Sequence, residues 1–257
     1  MKDPCGTLFV IGTPIGNLED LSLRALRLLG TVDIIAAEDT RHTQKLLTHH
    51  GLSGQLTSYH DHNKEMKAPV LVERMLSGES VALVSDAGTP LVSDPGYLLV
   101  VQAHEADIPV VPVPGPSAVH AALSVAGLAT DAYTFLGYLP NRSGARRTQL
   151  ERLKEQPYTL VLFESPHRIG KCLADILEVM GDRPLAICRE LTKVHEEVLR
   201  TTVSGAIERF AEGKVRGEFT LVLEGFTRKA RQQARREEKA QGRKPRPRPR
   251  PRDAGGR

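Results

Sequence analysis

Long apolar runs are missing from this 257-residue chain. None approaches the ~18 residues that a helix needs to cross a bilayer. Cysteine is scarce too: Cys5, Cys172 and Cys188 are scattered, without zinc-ligand spacing and unable to form a disulfide framework. The first residues, Met1-Lys2-Asp3-Pro4-Cys5-Gly6, carry no apolar core of the kind a secretory signal has. These absences argue against a membrane protein, a secreted disulfide scaffold and a zinc-finger array. A cytoplasmic protein with no membrane partner and no bound metal is expected. Three motifs are also absent. Without G-x-G-x-x-G or G-x-x-x-x-G-K-[ST] the chain has no nucleotide fingerprint, and without G-x-S-x-G it has no hydrolase elbow.

What is present is a globular balance of 40% hydrophobic and 26% charged residues. The length allows one large domain or two of about 110 residues. The net charge of +4 hides an asymmetry. Arg228 to Arg257 holds 13 Lys/Arg against Glu237, Glu238 and Asp253, a net +10, which leaves −6 on the rest. The run Lys244-Pro245-Arg246-Pro247-Arg248-Pro249-Arg250-Pro251-Arg252 alternates charge with proline and has no apolar residue. It cannot build a core, so residues 228–257 are expected to be an extended, disordered basic tail. Such arms meet polyanions, nucleic acid above all; a merely solubilising terminus is the alternative.

The body alternates apolar runs with helical patterns. Thr7 to Gly12, Val32 to Ala37, Val81 to Val84 and Pro109 to Val111 read as strands, with Ser22 capping a helix that Gly30 closes. A second set, Tyr133 to Phe135, Tyr158 to Phe163, Leu185 to Cys188 and Phe219 to Leu223, follows Pro114-Gly115-Pro116. Strands separated by helices of this length predict parallel pairing through crossovers. The fold class is therefore α/β, with domains at 1–114 and 115–227 sharing one cleft.

Three strand ends run into Gly/Pro loops: Gly12-Thr13-Pro14-Ile15-Gly16-Asn17, Asp86 to Gly96, and Pro114-Gly115-Pro116-Ser117. Ligands of parallel sheets bind outside the carboxyl ends of the strands, where these loops lie. Glycines such as Gly88 and Gly115 allow close backbone approach, and proline pre-sets the turn. Few lysines in the loops argue against a triphosphate. A zwitterion with an apolar, positively charged centre suits them better.

Several segments together resemble one family. They are Leu8 to Asp20 (LFVIGTPIGNLED), Ala36 to Arg41 (AAEDTR), Ser58 to Asn63 (SYHDHN), Ala82 to Tyr97 (ALVSDAGTPLVSDPGY), Val113 to Ala118 (VPGPSA), Leu162 to Ile169 (LFESPHRI), Cys188 to Glu196 (CRELTKVHE) and Gly217 to Gly225 (GEFTLVLEG). In order and spacing they resemble the bacterial small-subunit ribosomal RNA cytidine 2′-O-methyltransferases of the tetrapyrrole methylase superfamily, over about residues 7–226. The resemblance implies a homodimer of two-domain α/β subunits, S-adenosylmethionine folded in the interdomain cleft, and a cytidine ribose in the decoding centre of 16S rRNA as target. It places Ile15, Thr89, Val92, Gly115 and Pro116 as cofactor contacts, with Gly88 beside them. Phe163, Arg189 and Phe219 or Thr220 fall near the adenosine.

A ribose hydroxyl is a poor nucleophile that a base or cationic neighbour helps, whereas a sulfonium donor asks mainly for in-line positioning. Glu38, Asp39 and Arg41 end the second strand at the ligand edge, where they can accept a proton or hold a sugar. Helix capping by Asp39 and Thr40 is the competing account. Asp86, at another strand end, is the further catalytic candidate, while Asp94 before Pro95 reads as a helix start. His60-Asp61-His62 lacks the partners of a metal site. Ser165-Pro166 reads as a helix cap and first turn, and Arg142, Arg146 and Arg147 as an RNA contact or a solvated face. A tetrapyrrole methyltransferase and a non-catalytic RNA-binding adaptor are the alternative functions. The basic tail favours RNA over the first, and methyl incorporation would separate the second.

Overall fold

The computed structural model describes residues 5–211 and 215–227; the basic segment 228–257 lies outside the described residues. The first half runs β1 (Leu8–Ile11), α1 (Leu23–Leu29), β2 (Ile34–Ala37), α2 (Thr40–His49), β3 (Leu56–Ser58), α3 (Lys64–Leu76), β4 (Val81–Val84), α4 (Tyr97–Glu105) and β5 (Val110–Val113). Its strands form one sheet in the order β3-β2-β4-β1-β5, every pair parallel. The apolar strands are buried on both faces, as parallel strands covered by helices must be. Leu8, Ile34 and Leu83 pack on one face with Leu71 and Met75 of α3 and Leu99 of α4. Ile11, Ile35 and Val84 pack on the other with Leu29 of α1 and Leu46 and Leu47 of α2. Each such side chain, fully buried, contributes about 1.5–3 kcal/mol.

Ser22 caps α1 as expected, its hydroxyl accepting the Ala25 N–H at 3.1 Å. Two elements were not expected. β3 is only three residues long, and α3 carries Pro69 inside it, a residue that reads as a helix breaker.

The second half runs α5 (Ala118–Ala126), β6 (Tyr133–Tyr138), α6 (Ser143–Leu153), β7 (Thr159–Glu164), α7 (Ile169–Met180), β8 (Pro184–Arg189), β9 (Glu197–Thr202), α8 (Val203–Phe210) and β10 (Phe219–Leu223). Here the expectation of parallel pairing is corrected. The order is β6-β7-β10-β8-β9, and of its four pairings β6 with β7 alone is parallel. The link between β8 and β9 is too short for a crossover, which takes a dozen or more residues, so those strands form an antiparallel pair. α5 covers one face, packing Val119, Ala122 and Leu123 on Val161, Ala186 and Val222. α6, α7 and α8 cover the other, where Leu150, Leu173 and Val203 meet Leu162, Ile187 and Leu221.

Two local readings also change. α7 begins at Ile169, so Ser165-Pro166 forms a turn before it and not its cap. Arg146 is no surface cation: it is 2% exposed and paired at 2.6 Å with Asp175, which also binds Arg147 at 2.7 Å.

Candidate active site

The three Gly/Pro loops leave the carboxyl ends of β1, β4 and β5, and they are tied to one another. Thr13 and Gly88 exchange backbone hydrogen bonds of 2.8 and 3.0 Å, and the Thr13 hydroxyl donates to the Ser85 carbonyl at 3.1 Å. The Thr89 hydroxyl donates to the Pro116 carbonyl at 3.3 Å. Gly12 and Gly115 stack backbone on backbone; a Cβ on Gly115 would lie 2.6 Å from the Gly12 carbonyl oxygen. That approach is closed to any other residue. The first loop also reaches the link between β8 and β9 of the second half, the Asn17 N–H donating to the Thr192 hydroxyl at 3.0 Å.

Between the loops and the second sheet lies a cleft of about 260 Å³. Ile15, Gly88, Thr89 and Val92 line it from the first sheet's loops, and Phe163, Phe219 and Thr220 from β7 and β10. Glu38 from the end of β2 and Asp86 from the end of β4 line it as well. Sequence reasoning thus brings nine of its candidates to one cavity.

The other five stand outside the lining. Asp39 caps α2, accepting the Arg41 backbone N–H at 2.8 Å and its guanidinium at 2.7 Å. That guanidinium holds the Asp39 carboxyl well below the usual carboxylate range. The Arg41 side chain is 88% exposed. Gly115 and Pro116 serve the packing and hydrogen bonding of the loops, and Arg189 pairs with Glu197 at 3.0 Å across β8 and β9.

Several lining residues escaped the sequence reading, Tyr138, Cys188, Leu191 and Glu218, while Asp94 reads there only as a helix start. Asp94 does not start α4, whose N-terminal cap is Gly96 without a side-chain bond. It follows Leu91 (φ 71°) and Ser93 (φ 72°), two non-glycine residues in the left-handed region. Each costs about 1–2 kcal/mol, and strain of this kind concentrates at functional sites.

The cleft is acidic on the first sheet's side. Asp86 accepts the Asp39 N–H at 3.0 Å. Burial, then the neighbouring Asp86 charge, pushes the Glu38 carboxyl up. Burial likewise pushes Asp94 up to about 6, with the charges of Glu38 and Asp86 adding to it and a hydrogen bond from Ser85 opposing. On the other side stands Lys193, its Nζ 3.0 Å from Glu190 and 2.8 Å from Glu218. Burial works against its charge, but those two carboxylates overcome it and hold the ammonium above its ordinary value. Among the described residues no His, Cys, Asp and Glu side chains group to hold a metal ion, and no helix is long and apolar enough to cross a membrane.

A parallel sheet with Gly/Pro loops at its carboxyl edge, facing a mixed sheet across a small cleft, is the architecture of the tetrapyrrole-type methylases. Uroporphyrin-III C-methyltransferase from Thermus thermophilus, solved with S-adenyl homocysteine, shares it at a TM-score of 0.62, with 22% identity, over 85% of this chain and 97% of that one. Diphthine synthase does so at 0.68, with 16% identity, over 86% of this chain and 90% of that one.

The chain belongs to the tetrapyrrole (corrin/porphyrin) methylase family, which it matches over residues 7–207. Among curated relatives, the ribosomal RNA small subunit methyltransferase I of Xylella fastidiosa is 50% identical over 223 residues, 86% of this chain and 82% of that protein. The protein of the same name from Halalkalibacterium halodurans is 48% identical over 224 residues, 87% of this chain and 78% of that one. That from Escherichia coli O157:H7 is 46% identical over 223 residues, 86% and 78%.

Proposed function

We propose that this protein is an S-adenosylmethionine-dependent methyltransferase that methylates the ribose 2′-hydroxyl of a cytidine in the decoding centre of 16S rRNA. The observation that carries the reading is identity of 46–50%, over 86–87% of the chain, to proteins named for methylating small-subunit ribosomal RNA.

The cleft suits such a cofactor. Ile15, Val92 and Leu191 offer apolar walls, and Glu38, Asp86 and Asp94 offer negative charge to a cationic sulfonium and ammonium. Ile15, Gly88, Thr89 and Val92 would hold it from one side, and Phe163, Phe219 and Thr220 from the other. Gly115 and Pro116 support it indirectly by fixing the loops, and Arg189 by bracing β8. When bound, S-adenosylmethionine supplies a methyl group already activated for displacement.

The chain must then orient the hydroxyl and take its proton. Asp94 is the acceptor this reading favours, a carboxylate lining the cleft whose proton affinity burial raises. A value of about 6 leaves it ionised at neutral pH yet more basic than an ordinary aspartate. Burial keeps it so, with the charges of Glu38 and Asp86 adding to it. Asp39 acts by position: its cap starts α2 and its N–H fixes Asp86. Arg41 is exposed beside Asp39, where it can meet phosphate.

The same reading takes residues 1–114 and 115–227 as the two domains, the protein as a cytoplasmic homodimer, and 16S rRNA or the small ribosomal subunit as partner. The experiment offers purified protein and labelled S-adenosylmethionine to naked 16S rRNA and to small subunits, and maps ribose methylation in cells with and without the gene. A single decoding-centre cytidine that loses its 2′-O-methyl group is the expected result. An unchanged ribose-methylation map, with no label incorporated, would overturn the reading.

A further inference from the structure

β6 carries a one-residue bulge. Its register against β7 runs Tyr133 to Thr159, Thr134 to Leu160 and Phe135 to Val161, then slips so that Tyr138 stands opposite Phe163. In an uninterrupted strand Gly137 would take that place and Tyr138 would point to the other face, because side chains alternate with period two. Gly137 has φ +60°, a conformation that suits glycine at such a slip.

The bulge therefore swings Tyr138 onto the face that carries Phe135 and Phe163. The three rings form a row, Phe135 to Phe163 at 4.9 Å and Phe163 to Tyr138 at 5.8 Å between centroids. The first two are partly buried against α5's side of the sheet, whereas Tyr138 lines the cleft and remains 54% exposed. Packing does not account for an exposed ring at the end of this row. Bulges beside active sites commonly serve to re-aim one side chain.

Position narrows the role. A Cβ on Gly137 would touch Ser93 Oγ at 3.0 Å, so the bulge abuts the strained loop that delivers Asp94. Tyr138 and Asp94 both line the cleft; burial of the Tyr138 hydroxyl, then the charges of Glu218, Glu164 and Asp94, push it up. An open aromatic face thus shares the cleft with the Asp94 carboxylate.

We propose that Tyr138 is the stacking platform for the base of the nucleotide to be methylated, which sets that nucleotide's ribose hydroxyl before Glu38, Asp86 and Asp94. This rests on the ribosomal RNA reading above and deepens it. Aromatic stacking accepts any base, because every base has a π-face, so Tyr138 supplies hold and position while other contacts choose cytidine.

The test compares wild type with Tyr138→Leu, Tyr138→Gln and Tyr138→Phe in the full chain. Three quantities are measured: kcat/KM on the ribosomal RNA substrate, affinity for S-adenosylhomocysteine by calorimetry, and the unfolding midpoint. The Leu and Gln variants should lose roughly 10- to 100-fold in kcat/KM, the range expected for one stacked base. Cofactor-product affinity and midpoint should hold, and Tyr138→Phe, which keeps the ring, should recover most of the loss. Unchanged kcat/KM in both non-aromatic variants would overturn the platform. So would S-adenosylhomocysteine affinity falling in parallel, since the ring would then serve the cofactor. Wild-type protein that methylates no ribosomal RNA would overturn the functional reading and the platform with it.

Discussion

Asp94→Asn should make this protein more stable and less active at once. The Asp94 carboxyl sits at about 6 in the folded chain, against an ordinary 3.8. A raised folded value means that folding favours the protonated acid, so the ionised form subtracts from stability. The penalty is absent below 3.8, where both states are protonated. It grows as pH rises between 3.8 and about 6, and it is complete above that. About two units at roughly 1.4 kcal/mol each give an upper bound of about 3 kcal/mol. An amide has no charge to desolvate. The carboxyl is only partly buried, so solvent screening lowers that bound, and the variant should gain about 1 kcal/mol near neutral pH, on the order of 2–4 °C in Tm for a chain of this size. Near pH 4 the gain should vanish. If Asp94 takes the hydroxyl proton, turnover should fall by about 10²- to 10⁴-fold. Denaturant unfolding at both pH values, beside a methyl-transfer assay, checks each half. A gain of equal size at both pH values, or no gain, would refute the electrostatic account. Full turnover would remove Asp94 from the chemistry.

Gly115→Ala should destabilise by about 1–3 kcal/mol through its clash with Gly12, and lose cofactor binding only as the loops shift; an unchanged denaturation midpoint would contradict the packing described. Arg146→Ala should cost about 3–5 kcal/mol, because it strips a buried partner from Asp175, and thermal unfolding measures it. Deleting Arg228–Arg257 removes a net +10 and should flatten the salt dependence of RNA binding by roughly 0.7–0.9 in log–log slope per lost phosphate contact. Cofactor affinity should not change, and identical slopes with and without the segment would exclude it from binding.

What was legible in the sequence follows the physics of each element. The four apolar runs of the first sheet were plain because both of its faces are buried, so their residues need not alternate. The loops were plain because glycine and proline mark turns wherever they cluster. β9 was hidden, since Glu197 to Thr202 lies at a sheet edge with alternating exposure and few apolar residues. The antiparallel return of β10 was hidden because apolar content reports burial and says nothing of direction. In the site, Glu38 and Asp86 were found at strand ends, where position along the chain predicts position on the sheet. Asp94 and Tyr138 were missed for a common reason. Each owes its place to local backbone departures, the left-handed Leu91 and Ser93 in one case and the Gly137 bulge in the other, which no periodicity announces.

β10 is the last strand among the described residues and the middle one of its sheet, hydrogen-bonded to β7 on one side and β8 on the other. During synthesis, every strand that will flank it exists before it does. Until Phe219–Leu223 is made, β7 and β8 each present an unpaired apolar edge, the kind that joins other chains. An interrupted message ending anywhere in that interval would thus yield a sticky product and not merely an inactive one. Two walls of the cleft, Phe219 and Thr220, arrive with the same strand. Completion of the sheet and completion of the catalyst are one event in the life of each molecule.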